Sequence, residues 1–314
     1  MSASADNNLL IKAMPVVFVL IWSTGFIVAK YGLPYSPALT FLTIRFALSL
    51  ICFALWVTLA GVAWPKDKRQ WWHLAVVGVL VHAGYLGGVW SAVKAGMGSG
   101  LVALMVCLQP VLTALWLSAF SRDNSAVLLG GARLRVTPRQ WLGLALGLMG
   151  LLLVVSRKLA HSGQFGGEVT WFTMLASTLA LLSITAGTLY QKRFVTVQEV
   201  RSANAIQIAA ALLVTAPLAL FEAETISWTP QFVGALAWSV LALSLGGSSL
   251  LYLLIQRGAA TAVTSLLYLV PPCTALMAWL LFAEPITVVT LVGTAITAVG
   301  VSLVIGAARP ASSA

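Results

Sequence analysis

Three polar side chains stand in the middle of otherwise apolar stretches of this chain: Arg45, His82 and Gln109. In a bilayer each must be paired, wetted or otherwise compensated, so each is a candidate contact for a polar solute. His82 shares a helix face with Tyr85 and Val89, at spacings of three and four. It is either a histidine satisfied by a neighbouring carbonyl or a substrate contact, and it is the only central group that titrates near neutral pH. Arg45 is either a structural pin that bridges helices or the anchor for a substrate anion. Gln109 can donate to and accept from a zwitterion. Trp22, Phe26, Tyr85, Trp90, Tyr252 and Tyr268 form an aromatic set that could bury an apolar side chain, with Trp22 and Tyr268 the most central. Trp71, Trp72, Trp141 and Trp228 lie near segment ends and suit an interfacial belt.

Other chemistries find no residues to carry them. No predicted span has an Asp or Glu in its middle, so proton coupling through a buried acid is not expected; either His82 carries coupling or the solute equilibrates passively. No carboxylate pair, Ser/His arrangement or metal cluster supplies a catalytic site, and no cofactor is implied. Cys52, Cys107 and Cys273 fall inside predicted spans without paired spacing and read as core residues. The glycine-rich stretches are themselves apolar spans, so ATP-driven transport would need a separate subunit.

The elements that position these residues are membrane helices. The chain has 314 residues, is 60% hydrophobic and 8% charged, and has a mean hydropathy of +0.97; an ordinary soluble domain carries roughly 25% charged residues. Segments of about 20 apolar residues predict ten helices, near 14 to 33, 38 to 61, 71 to 93, 97 to 120, 140 to 156, 170 to 191, 203 to 221, 231 to 255, 260 to 282 and 286 to 306. The fifth is short. With the N-terminus inside, the cytoplasmic side receives Lys12, Lys66, Lys68, Arg69, Arg122, Arg133, Arg135, Arg139, Lys192, Arg193, Arg201, Arg257 and Arg309. The outside keeps Lys30, Lys94, Arg157 and Lys158, balanced by Glu168, Glu222, Glu224 and Glu284. This asymmetry places both termini in the cytoplasm of a multi-pass inner-membrane protein. It also explains the net charge of +10 without nucleic acid. The first apolar stretch reads as a signal anchor, not a cleavable leader. The expected partners are lipid and a small-molecule solute, with the chain a monomer or weak homodimer.

The chain is an internal duplication. Residues 15 to 113 superimpose on 177 to 275 at a constant offset of 162, which brings Gly25 onto Gly187, Lys30 onto Lys192, Gly84 onto Gly246, Gly96 onto Gly258 and Pro110 onto Pro272. Each copy holds five spans, and five is odd, so the second copy enters the bilayer from the opposite side, as in inverted-repeat transporters. The predicted organisation is a tail at 1–13, a first repeat at 14–156, a second at 157–306 and a tail at 307–314. The offset falls to 150 at Gly143 and Gly293, so the basic loop 121 to 139 is about 12 residues longer than its counterpart. Pro110 and the pair Pro271 and Pro272 occupy matched positions in the fourth and ninth spans, where a proline frees a carbonyl and bends a helix; they are either hinges or packing kinks. Gly25, Gly84, Gly87 and Gly88, with Gly187, Gly246 and Gly247, permit close helix contacts. Gln207 replaces Arg45 in the second copy, and Tyr252 replaces Trp90.

The run SLLYLVPPCTALMAWLLFAEPIT at 265–287, preceded by Gln256-Arg257-Gly258-Ala259-Ala260 and followed by Gly293 and Gly300, resembles the C-terminal half of EamA-type transporters of the drug/metabolite transporter superfamily. The first half answers with Trp22-Ser23-Thr24-Gly25-Phe26, Lys30, Arg45-Phe46 and Leu108-Gln109-Pro110. The resemblance covers about residues 14 to 306. It implies a ten-helix inner-membrane carrier with alternating access between two halves, commonly an exporter of amino acids or other small metabolites. The first span lacks the carboxylate that small four-helix multidrug exporters of the same superfamily carry there. An antiporter of phosphorylated or nucleotide-linked sugars is the alternative carrier, although such anions favour several basic groups around a cavity and only Arg45 is deep. A non-transport membrane scaffold is the third reading.

Overall fold

The computed structural model describes residues 2–120, 138–160, 169–196, 199–248, 250 and 269–306. Ten helices follow one another in these residues: α1 (Ser2–Gly32), α2 (Ala38–Leu59), α3 (Lys68–Lys94), α4 in two pieces (Ser99–Val106 and Gln109–Phe120), α5 (Pro138–Ala160), α6 (Trp171–Phe194), α7 (Val200–Ala219), α8 (Pro230–Gly247), α9 (Val270–Phe282) and α10 (Val288–Gly306). Six are long and apolar enough to cross a membrane, and four shorter apolar helices complete the set. Lipid offers no hydrogen bonds, so each crossing segment must satisfy its backbone internally. Polar caps start the helices where the chain meets water: the Asp67 carboxylate accepts from Arg69 N at 2.8 Å before α3, and Thr170 and Thr173 form a reciprocal box at the start of α6.

The fold departs from the sequence reading in three places. The fifth helix runs Pro138–Ala160, longer than the predicted 140 to 156, because charged residues mark the membrane edge and a helix continues through it. The fourth is broken by a turn at Cys107–Leu108, with Pro110 in the first turn of the second piece. There a proline has few hydrogen bonds to lose, so the expected bend is a break. Pro271 and Pro272 likewise stand in the first turn of α9, one buried and one exposed. Third, α3 and α8 both contain π-helical segments, Val79–Gly84 and Ser239–Gly247. The offset of 162 places these at matched positions, and such a segment locally re-aims side chains.

The two repeats interlock. α2 packs on α7, α3 on α6 and α7, α1 on α8 and α9, and α5 on α10. The α5–α10 contact shows the pseudo-two-fold directly: Gly150 faces Gly293 and Thr297, while Gly300 faces Gly143 and Gly147. The offset of 150 exchanges these two sets. Backbones approach closely because the facing residues are mostly glycines, which is how membrane helices gain packing without a hydrophobic drive. Outward faces such as Leu48, Ile51 and Leu55 of α2 are exposed, and its inward Phe41, Leu42, Phe46 and Phe53 are buried. Gly96, in the turn after α3, takes φ +100°, where a β-carbon would be strained; its counterpart Gly258 lies outside the described residues.

Candidate functional site: a polar contact made twice between the repeats

Arg45 projects from α2 into the protein and is 7% exposed. Its Nε and one terminal nitrogen both reach Ser244 Oγ in the π segment of α8, each at 3.4 Å, and Ser244 donates in turn to Ser239 O at 3.1 Å. The guanidinium also lies 5.9 Å from the Trp90 ring, and the Tyr85 phenol is within its electrostatic reach. His82, in the π segment of α3, faces the Gln207 side chain of α7 and meets the Phe46 ring edge-on at 6.2 Å.

These two contacts are one contact made twice. The offset of 162 carries Arg45 to Gln207 and His82 to Ser244, so each copy extends a polar side chain from its second helix to the π segment of the other copy. The α1–α8 and α3–α6 packing repeats the pattern. A β-carbon on Gly25 would lie 3.8 Å from Leu243, and one on Gly187 would lie 2.6 Å from Val81. The sequence reading singled out Arg45 and His82 but missed Gln207 and Ser244 as their partners. The offset already in hand contained that pairing.

Of the residues expected in one site, the structure brings Arg45, His82, Tyr85 and Trp90 together. Tyr85 and Trp90 are buried. Trp22 is half-buried, tilted on Phe18 at 5.3 Å and close to Gly247, and Phe26 is a buried core residue of the same helix. Gln109, at the α4 break, is engaged elsewhere, donating to Thr188 of α6 at 3.2 Å. Tyr252 and Tyr268 lie outside the described residues. The belt tryptophans Trp71, Trp72, Trp141 and Trp228 are all exposed.

Different chemistry closes the two ends of the bundle. At one end, three glutamates of the second repeat grip the first. Glu284 pairs with Lys30 and accepts from Ser99 N and Oγ at 3.2 and 3.1 Å. Glu224 pairs with Lys94, which also donates to the Leu33 and Ser36 carbonyls. Glu222 accepts from Leu39 N, Thr40 N and Thr40 Oγ1 at 2.7–2.9 Å and so caps α2. Burial alone would raise the Glu284 carboxyl, but the Lys30 ammonium and the Ser99 donors outweigh it and hold it below its ordinary value. At the other end the described contacts between repeats are mostly neutral. Gln70 donates to Phe194 O at 3.3 Å and accepts from Thr196 N at 3.1 Å. His73 Nδ1 lies 2.9 Å from the Tyr190 hydroxyl, and its ring stacks on Phe194 at 5.3 Å. Gly78 backs directly onto the Gln207 backbone.

Known proteins are similar to this chain in fold and in sequence. A solved crystal structure superimposes with a TM-score of 0.65 at 17% identity, covering 96% of this chain and 98% of its own, and it shows the same fold. The uncharacterized transporter YvbV of Bacillus subtilis is 25% identical over 91% of this chain and 88% of its own. The uncharacterized inner membrane transporter YedA of Escherichia coli K12 is 28% identical over 71% and 66%. A probable amino-acid metabolite efflux pump of Salmonella typhimurium is 26% identical over 57% and 52%. The model of the EamA-like transporter family matches twice, at residues 11–156 and 171–306. Two family-length matches on two interlocking five-helix halves leave one assignment: the chain belongs to the EamA-like transporter family.

Proposed function

We propose that the protein is a secondary carrier that exports amino acids or related small metabolites across the inner membrane, using the contact between its repeats as the solute site. The observation that carries this reading is the polar contact made twice between the repeats by Arg45, Ser244, His82 and Gln207. A polar seam deep among apolar helices costs free energy unless a polar solute uses it, and two copies of one contact suit halves that exchange roles as the site opens to either side. Trp22 would receive the apolar part of the solute at about 25 cal/mol per Å² buried, with Phe26 and Tyr85 behind it and Tyr252 and Tyr268 as the second repeat's share. Pro110, Pro271 and Pro272 would serve as matched hinges, and Gln109 would hold α4 to α6.

The relative named for amino-acid metabolite efflux supports the substrate class. Sugar phosphates fit less well, because Arg45 is the one basic residue deep in a span. The basic loops favour both termini inside; the Glu284 end would then face outside and the Gln70 end the cytoplasm. The test is flux through the pure protein in liposomes, against labelled amino acids, polyamines, purines and sugar phosphates. Saturable amino-acid flux is expected, and no flux of any solute above protein-free liposomes would overturn the reading.

A further inference from the structure

Arg45 meets no carboxylate among the described residues. The chain contains eight acidic residues, Asp6, Asp67, Asp123, Glu168, Glu199, Glu222, Glu224 and Glu284, and none falls within the apolar stretch of any span. The guanidinium is nonetheless buried, and its hydrogen-bond partner among the described residues is one neutral hydroxyl at 3.4 Å, near the outer limit of a hydrogen bond. A guanidinium presents five donors in a fork that matches a carboxylate in two parallel bonds, so most of its capacity is unspent here. The neighbouring Trp90 Nε1, also buried, has no hydrogen-bond partner among the described residues.

The second repeat argues against a purely structural strut. At the same place under the pseudo-two-fold it closes the corresponding contact with His82 through Gln207, which carries no charge. A neutral side chain at that position therefore satisfies the architecture, and the charge at position 45 is an addition to it. Desolvating an unpaired cation is costly, and such a group persists in a membrane protein where an anion visits it.

We infer that Arg45 determines specificity by receiving the carboxylate of the transported solute, which displaces Ser244 from the guanidinium. The carried metabolites are then those with a free carboxylate, and amides or amines of the same shape are rejected. This rests on the carrier reading above and narrows it.

The experiment measures flux and competition in proteoliposomes for two matched sets, L-phenylalanine with L-phenylalaninamide and 2-phenylethylamine, and L-leucine with L-leucinamide and isoamylamine. The acids should be preferred by about tenfold or more, the scale of a charged hydrogen bond left unmade in a buried site. In Arg45→Gln, which copies the second repeat, the preference should collapse to roughly threefold or less while the ligand-free melting temperature holds. In Arg45→Lys, which keeps the charge but loses the fork, the acids should remain preferred at weaker affinity. Equal handling of acids, amides and amines by the parent protein would overturn the inference and leave the carrier reading standing, as would an unchanged preference in Arg45→Gln. If Arg45→Gln does not fold, the parent's acid-to-amide ratio decides alone. Flux of none of the six compounds would remove the amino-acid reading and this inference with it.

Discussion

One end of the helix bundle is closed by charge and the other by shape. At the Glu284 end, the carboxylates of Glu222, Glu224 and Glu284 reach from the second repeat to Lys30, Lys94 and the start of α2 in the first. At the Gln70 end the repeats meet through Gln70, the clustered His73, Tyr190 and Phe194 rings, and the backbone approach of Gly78 to α7. Ionic groups at a wet surface can exchange partners with water at little net cost, since exposed pairs contribute about 0–1 kcal/mol each. Closely fitted backbones have no such substitute and separate only as a unit. The two ends are thus held by two kinds of energy, one sensitive to ions and protons and the other to side-chain volume.

The largest effect expected from breaking this contrast is at Gly78. A β-carbon there meets the Gln207 backbone, which has no rotamer to yield, so Gly78→Ala should cost about 1–3 kcal/mol and lower the melting temperature of the purified protein clearly. Gly187→Ala presses on the Val81 side chain, which can move in part, and should cost less. Its pseudo-equivalent Gly25→Ala makes only ordinary contact with Leu243 and should be nearly neutral. Equal losses at Gly25 and Gly187 would show that the asymmetry between these matched contacts has no energetic weight.

Charge removal should follow burial. The Glu284 side chain is 12% exposed and accepts from three donors, so Glu284→Gln should cost about 1–3 kcal/mol and speed maleimide labelling of a Leu101→Cys reporter at that end of α4. The Glu284 carboxyl is held below its ordinary value of 4.5. Its stabilisation is therefore complete above about pH 4.5 and is lost as pH falls through the depressed value. The stability difference between parent and Glu284→Gln should be flat from about pH 5 to 8 and shrink below that; a change near pH 6 to 7 would point to another titrating group. The smaller of the two charge effects belongs to Glu224→Gln. That glutamate is 63% exposed, and its loss should cost less than about 1 kcal/mol and shrink further in high salt.

What the sequence disclosed follows from what the bilayer enforces. Lipid requires long apolar helices, so the ten spans and the duplication were legible, and five spans per copy dictated the inversion. Packing detail was less so. The π segments at Val79–Gly84 and Ser239–Gly247 leave no mark in helical periodicity, because one wide turn shifts the register of a run that is apolar on every face. Pro110 flagged the weak point of α4, yet it does not distinguish a bend from the observed turn at Cys107–Leu108. Glu222, Glu224 and Glu284 counted only as exterior charge, since which loops meet across the repeats is a tertiary fact. Arg45, His82 and Gln109 stood out as polar residues in apolar runs, whereas Ser244 did not, because serine is a weak anomaly in a membrane helix, and Gln207 registered only as the residue that replaces Arg45.

The central claim is that solute passes between the two repeats as the ends open in turn. It is tested most directly by tying the Glu284 end shut. Cysteines placed by Lys30→Cys and Glu284→Cys, in a protein whose Cys52, Cys107 and Cys273 are replaced by alanine, can be joined by a short reducible bifunctional crosslinker and the protein assayed for amino-acid flux in liposomes. Flux should fall to the protein-free level when the link is made and return on reduction. Undiminished flux through the linked protein would contradict passage between the repeats.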